Sequence, residues 1–187
     1  MTLRERLYRF RSFWIFPVTA ALLLYLTSRA EPQGRTHDLL WLVPAGMLLW
    51  TLLEYILHRF VFHTHIPIRA PWLREIVNAS HLVHHASPRD PTQILVLPIF
   101  GAAVSAILYG LFAAIFRNWF SAAGLMTGIW AGFLYYEAVH YRVHFSLAGS
   151  GLVARQRRAH FYHHFTNNKR CFGVTSPIWD YVFGTTR

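Results

Sequence analysis

The sequence predicts an all-α integral membrane protein of four transmembrane helices with a helical cap on the cytoplasmic side. Three observations carry this. Apolar residues make up 54% of the 187-residue chain and charged residues only 14%, against about 25% charged in soluble domains. Four stretches approach the roughly 20 apolar residues that cross a hydrocarbon core. Basic residues and histidines gather in the segments that these stretches leave on one side.

The predicted spans are residues 12–28, 39–57, 94–116 and 119–136. The first follows several arginines, as a signal sequence would, but Arg29 to Arg35 offers no small-residue cleavage site, so it reads as a retained helix. Only Arg117 and Asn118 part the last two, and the alternative for that pair is buried or re-entrant helices. The chain reads as one domain, residues 1–187, with segments 58–92 and 137–187 outside the bilayer.

Orientation follows from lysine and arginine, which are retained on the cytoplasmic face. Arg4, Arg6, Arg9 and Arg11 precede the first span, and Arg59, Arg69, Arg74 and Arg89 lie between the second and third. Arg142, Arg155, Arg157, Arg158, Lys169, Arg170 and Arg187 follow the fourth. Only Arg29, Arg35 and Arg117 fall opposite. Both termini are thus expected in the cytoplasm, at the inner membrane of a bacterium or the endoplasmic reticulum of a eukaryote. The net charge of +10 becomes a topology signal, and no nucleic-acid partner is needed to explain it. The single cysteine, Cys171, excludes an intramolecular disulfide.

Ten of the 12 histidines form four clusters: His58 and His63; His81, His84 and His85; His140 and His144; His160, His163 and His164. All lie in the segments assigned to the cytoplasm. Helical residues three and four apart share a face, so each H-x-x-H-H or H-x-x-x-H cluster is expected to aim at one point. His58 and His63 are five apart, about 140° around a regular helix, so the second span should end or deform between them. His37 and His65 fit no cluster. The order of hydrophobic hairpin, spaced pair and H-x-x-H-H occurs twice, giving five imidazoles in each half.

Imidazole suits zinc, copper, iron and nickel alike. Ten nitrogen ligands are too many for one ion, whereas two ions with about five each would keep a position open for water or dioxygen. Structural zinc is normally four-coordinate and closed. A metal pair beneath apolar helices is placed to meet an acyl chain, and attack on an unactivated C–H bond needs redox chemistry that zinc does not perform. Two iron ions with dioxygen are the economical choice, although a purified sample could carry zinc or nickel.

The four clusters, the run Glu54-Tyr55-Ile56-Leu57-His58-Arg59-Phe60-Val61-Phe62-His63 and the closing run from Phe172-Gly173-Val174-Thr175 through Trp179-Asp180-Tyr181 to Thr185 resemble the fatty acid hydroxylase superfamily. Within it, fatty acid 2-hydroxylases are the most similar. The resemblance implies that all ten clustered histidines ligate metal and that the activity is hydroxylation of a lipid acyl chain beside its carboxyl carbon. Many relatives carry a fused b-type cytochrome domain, for which this chain has no room. The expected electron donor is therefore a separate ferredoxin or b-type cytochrome with its reductase, and the surplus of Arg and Lys would favour an acidic one.

Glu54 stands four residues before His58, and Glu137 three before His140. Each is expected to accept the free N–H of a ligand on its own helix without binding metal itself. Asp180 is a candidate for orienting the site or capping a turn, and Tyr135, Tyr136, Trp179 and Tyr181 read as interfacial aromatics. Rival functions are a sterol or carotenoid hydroxylase, an acyl desaturase and, outside enzymes, a metal transporter. The last would place its ionisable groups near the bilayer midplane and not beyond the span ends.

Overall fold

The structure is a computed structural model and describes residues 11–31, 36–63, 67–147 and 150–187. His65 lies outside them. Among the described residues the chain is all helical: α1 (Ser12–Ala30), α2 (Leu39–Ile56), α3 (Pro71–Ala86), α4 (Pro98–Phe116), α5 (Trp119–Phe145), α6 (Gly151–Phe165) and α7 (Ile178–Val182). Three helical stretches are long and apolar enough to cross a membrane: Ser12–Ala30, Thr36–Phe62 and Pro98–Phe116. On α4 only 6% of the apolar window is buried, and Ile99, Ile107, Leu111 and Ile115 are more than half exposed. An apolar face so open to its surroundings matches a lipid environment and not water.

Two predicted boundaries move. The third segment becomes helical only at Pro98, because residues 94–97 form irregular backbone whose Ile94 and Val96 are buried. The fourth does not stop at residue 136, because α5 runs on to Phe145 and carries Glu137, His140 and His144 on unbroken helix.

The chain divides into two compact units, residues 1–50 with 98–134, and residues 51–97 with 135–187. In the first, α2 and α5 cross at glycines. A Cβ on Gly128 would lie 2.1 Å from the Val43 carbonyl oxygen, and one on Gly46 would lie 2.2 Å from that of Leu125. Close backbone approach through small residues is how helices associate without a hydrophobic driving force between them. Phe133 lies edge-on to Phe16 and Trp50 at 5.2 Å. The turn into α5 is fixed twice: the Asn118 side chain accepts from the Ser121 N–H at 2.7 Å, and the Glu31 carboxylate accepts from the Trp119 N–H at 2.9 Å. Both satisfy donors that a helix start leaves open.

The second unit contains α3, α6, α7 and the ends of α2 and α5. Pro71 opens α3 at the first helical position, where its missing N–H costs nothing.

Candidate metal centre

All ten clustered histidines converge in the second unit. Their ligand atoms form two groups, His58, His63, His81, His85 and His163, and His84, His140, His144, His160 and His164, with the atoms of each within 4.8 Å of one another. His58 and His63 reach one group because α2 passes into a π-helical turn over Leu57–Phe62. Its i→i+5 repeat brings residues five apart onto one side, which is the deformation the spacing demanded.

Each H-x-x-H-H motif serves both groups, contrary to the expectation that it aims at one point. His81 and His85 join the first group while His84, between them, joins the second; His160 and His164 join the second while His163 joins the first. On α3 and α6, residues i and i+4 superpose one turn apart, and i+3 stands about 60° to the side. The middle histidine therefore points to the neighbouring group. Each half of the chain still supplies five imidazoles, four to one group and one to the other.

The spacing of the nitrogens tests whether a metal fits. Nε2–Nε2 separations are 3.0 Å for His63–His81 and His63–His163, 3.0 Å for His140–His160, 2.8 Å for His144–His160 and 3.1 Å for His84–His164. Two imidazole nitrogens bound at about 2.1 Å to one ion at right angles stand about 3.0 Å apart, and tetrahedral angles would give about 3.4 Å. The donor set fits ions of more than four-coordinate geometry.

Backbone carbonyls set the tautomers. His58 donates from Nδ1 to the Phe172 carbonyl at 2.6 Å, and His163 from Nδ1 to that of Arg170 at 2.7 Å. A neutral imidazole has one N–H, so Nε2 of both is left bare, and that of His58 is buried with no protein partner. Nε2 of His85 is likewise buried and unpartnered. Burial pushes the imidazoles far below their usual value near 6.5, and neighbouring imidazoles add to the effect: His63 and His84 fall to about 3 and His85 to about 2. His144 and His163 fall to about 4, each partly restored by a backbone carbonyl. His81, His160 and His164 are lowered too, all chiefly by burial. At neutral pH these rings are uncharged and can offer lone pairs.

The carbonyls of Arg170 and Phe172 flank Cys171, which sits in the left-handed region at φ 58°. That conformation is uncommon for a residue with a side chain, and here it turns the acceptors on either side toward two of the imidazoles. The strained turn is held from three directions. Asp180, 1% exposed, accepts the Phe172 and Gly173 N–H groups at 2.9 and 2.8 Å and the Thr185 hydroxyl at 2.7 Å. Cys171 donates to the Thr185 carbonyl at 2.7 Å. Glu54, 3% exposed, accepts the Val174 and Thr175 N–H groups at 2.6 and 2.9 Å and the Thr175 hydroxyl.

Glu54 therefore does not take the His58 N–H, as its position on the helix suggested. It holds the segment whose carbonyl does. Glu137, fully buried, accepts the Val96 N–H at 3.0 Å and so anchors the irregular stretch before α4. Tyr136 is buried and stacks on His140 at 5.4 Å, which is not the setting of an interfacial aromatic, and the half-buried Trp179 donates to Thr51 at 2.9 Å. Tyr135 and Tyr181 are exposed. His37 is exposed and pairs with Asp38 at 3.0 Å, and it belongs to neither group. Sequence reading missed the two carbonyls, which no side-chain pattern announces. Gly173 was the available signal, since a Cβ there would lie 2.1 Å from the Ser176 carbonyl oxygen, a turn only glycine makes.

A family model for fatty acid hydroxylases matches residues 43–185, nearly the whole span from α2 to the end of α7. The chain belongs to the fatty acid hydroxylase family. Hydroxylation is an oxidation, so membership makes it an oxidoreductase. It is 31% identical over 175 residues to a dihydroceramide fatty acyl 2-hydroxylase of Arabidopsis thaliana, covering 92% of this chain and 73% of that protein. It is 34% identical over 142 residues to the fatty acid 2-hydroxylase of Rattus norvegicus, covering 75% of this chain and 38% of that protein. The ceramide very long chain fatty acid hydroxylase of Saccharomyces cerevisiae is 31% identical over 93% of this chain and 45% of its own length. A solved structure of full-length Scs7p, in which only the hydroxylase domain is visible, superposes with a TM-score of 0.74 at 29% identity, covering 93% of this chain and 66% of that one. Several of these relatives are thus considerably longer than this chain.

Proposed function

We propose that the protein is a membrane di-iron monooxygenase that hydroxylates a lipid acyl chain, in the manner of the fatty acid 2-hydroxylases to which it is similar. The observation that carries this reading is the convergence of ten neutral imidazoles into two adjacent five-nitrogen groups, in a chain of the fatty acid hydroxylase family. Two bound iron ions would supply activation of dioxygen, so that a C–H bond, dioxygen, two electrons and two protons give a C–OH group and water. All ten histidines would be the ligands, with the five-nitrogen sets leaving a position open for reactant. The Arg170 and Phe172 carbonyls would fix ligand tautomers and raise ligand basicity. Glu54 and Asp180 would hold those carbonyls in place, and Glu137 would steady the other side through Val96.

We read both units as one hydroxylase domain, since α2 and α5 each run from one into the other. The first part of α5 would be the fourth span, with both termini and the histidines on the cytoplasmic side. Reporter fusions should place the two termini together, and opposite locations would refute this topology. Electrons would come from a separate acidic ferredoxin or b-type cytochrome, drawn by the basic residues of the same face.

The test is incubation of the iron-loaded protein with a labelled acyl lipid, isotopically labelled dioxygen and a reduced ferredoxin. A hydroxylated product carrying one atom from dioxygen is expected. A double bond with no incorporated oxygen, or no product with any acyl lipid while the iron is retained, would overturn the proposal.

A further inference from the structure

The peptide groups that orient His58 and His163 are themselves backed from behind. The carbonyl that accepts the His58 Nδ1–H belongs to the peptide joining Phe172 to Gly173, and the N–H of that same peptide donates to Asp180 Oδ2 at 2.8 Å. The carbonyl that accepts the His163 Nδ1–H belongs to the peptide joining Arg170 to Cys171, whose N–H donates to the Thr185 carbonyl at 2.7 Å. Successive hydrogen bonds polarise one another in a medium of low dielectric. A peptide whose N–H is drawn toward an acceptor therefore offers a more negative carbonyl to its imidazole.

Thr185 ties the two supports together. It is 7% exposed, its N–H donates to the Asp180 carbonyl at 2.8 Å, and its hydroxyl donates to Asp180 Oδ1 at 2.7 Å. A hydroxyl has one proton, so the fully buried Tyr55 is the donor in its 3.0 Å bond to Thr185 Oγ1. The phenol oxygen in turn accepts from the Arg59 guanidinium at 2.6 Å. The relay has one direction, from Arg59 through Tyr55 and Thr185 to the carboxylate of Asp180.

The second nitrogen group is built differently. Its rings approach one another through Nε2, and the outer Nδ1 atoms of His84, His140, His160 and His164 are buried with no hydrogen-bond partner among the described residues. Only the fifth ring, His144, has a backbone acceptor, the Pro88 carbonyl. A metal ion draws electrons from an imidazole and makes its remaining N–H a stronger donor, so an acceptor already in place gains most when metal arrives. The first group holds two such acceptors, one of them backed by a carboxylate through its own peptide.

We propose that Asp180 and Thr185 are positioning residues of the metal centre, which act on His58 and His163 through these peptides and make the first group the tighter of two metal sites. The inference rests on the reading of the ten histidines as ligands of two ions, and it adds an order of filling.

The test is titration of the metal-stripped full chain in detergent micelles with Co(II) alone, without reductant or lipid, followed by d–d absorption and chelator competition. Uptake in two steps is expected, with affinities about 10- to 100-fold apart. The tighter step should vanish in His163→Ala and persist in His160→Ala. Thr185→Val keeps the shape of the side chain and removes the hydroxyl. It should weaken the tighter step by about 10-fold, leave the weaker step unchanged and move the absorption of the first ion to longer wavelength, as a weaker ligand field requires. Asp180→Asn should weaken the same step by about 10- to 100-fold. Thr185→Ser, which restores the hydroxyl, should bind as the unaltered protein does. The unchanged weaker step shows a variant to be folded, and if Asp180→Asn does not fold, the two Thr185 variants decide alone.

A tighter step that survives His163→Ala and is lost in His160→Ala would overturn the proposal. So would a Thr185→Val protein that binds both ions undiminished or weakens both steps equally, or a Thr185→Ser protein as weak as Thr185→Val. Uptake of a single ion would overturn the two-metal reading together with this inference. Two steps of equal affinity would overturn this inference and leave that reading standing.

Discussion

Replacing His163 by alanine separates the structural arrangement from the one that sequence order suggests. His163 belongs to the second H-x-x-H-H motif, yet its Nε2 stands 3.0 Å from that of His63, and its group is otherwise drawn from the first half of the chain. The substitution removes one of five nitrogens from the first group, frees the Arg170 carbonyl from its donor, and leaves all five nitrogens of the second group in place. Loss of an outer partner alone typically costs about 10- to 100-fold in metal affinity, so loss of a ligand together with its partner should cost more. Residues that share one site are non-additive, whereas those of separate sites add. Elemental analysis after gel filtration should therefore give about one ion per chain for His163→Ala, still about one when His58→Ala is added, and nearly none when His160→Ala is added instead. Activity should be lost in all three. If the pair His58→Ala and His163→Ala strips both ions while His160→Ala and His163→Ala retains one, the crossed assignment is wrong. One ion per chain in the unaltered protein would refute the two-site reading altogether.

Glu54→Gln should keep both metals but lower turnover and thermal stability, by about 1–3 kcal/mol, since it exchanges an acceptor oxygen for an amide in the buried bonds to Val174 and Thr175; loss of an ion would make Glu54 a ligand. Glu137→Gln should behave alike through Val96, and full activity in both variants would remove the glutamates from the site. Cys171→Gly should be neutral or stabilising in thermal unfolding, because glycine adopts φ 58° without strain, whereas Cys171→Val should cost about 1–3 kcal/mol; equal melting of the two would contradict the strained turn. The metal-stripped protein should be most stable above pH about 6.5 and lose stability as pH falls toward about 3, because the unfolded chain takes up protons there that His63 and His84 refuse when folded. For nearly inaccessible His84 that linkage is at most about 1.4 kcal/mol per pH unit; a melting temperature that rises on acidification through this window would reverse the sign and refute it.

Much of this was legible in the sequence because it depends on local periodicity and charge. The helices follow the apolar runs, and the five-residue step from His58 to His63 forecast the distortion found over Leu57–Phe62. Membership of the ten histidines in one centre was legible too, because four clusters in one pair of segments leave few other purposes. Their division was not. Whether His84 joins His81 or His164 depends on where α6 lies, and that is set by tertiary packing. Glu54 illustrates the same limit: helical spacing placed it near His58, but its partners are 120 and 121 residues away in a turn that has no periodic signature.

The crossing of the middle histidines bears on how the chain would come apart. One group closes a loop of 100 residues from His63 to His163, and the other a loop of 80 from His84 to His164. An ion bound in either is a clip across distant chain segments. In the chain-entropy account a permanent link across about 100 residues restricts the unfolded ensemble by roughly 4–5 kcal/mol. Two such clips in opposite directions lace the halves together, so a fragment containing either half alone would hold four nitrogens of its own group and one without partners. Co-expressed halves would thus be expected to find each other most readily when metal is supplied, with the ions serving as the adhesive of a split protein.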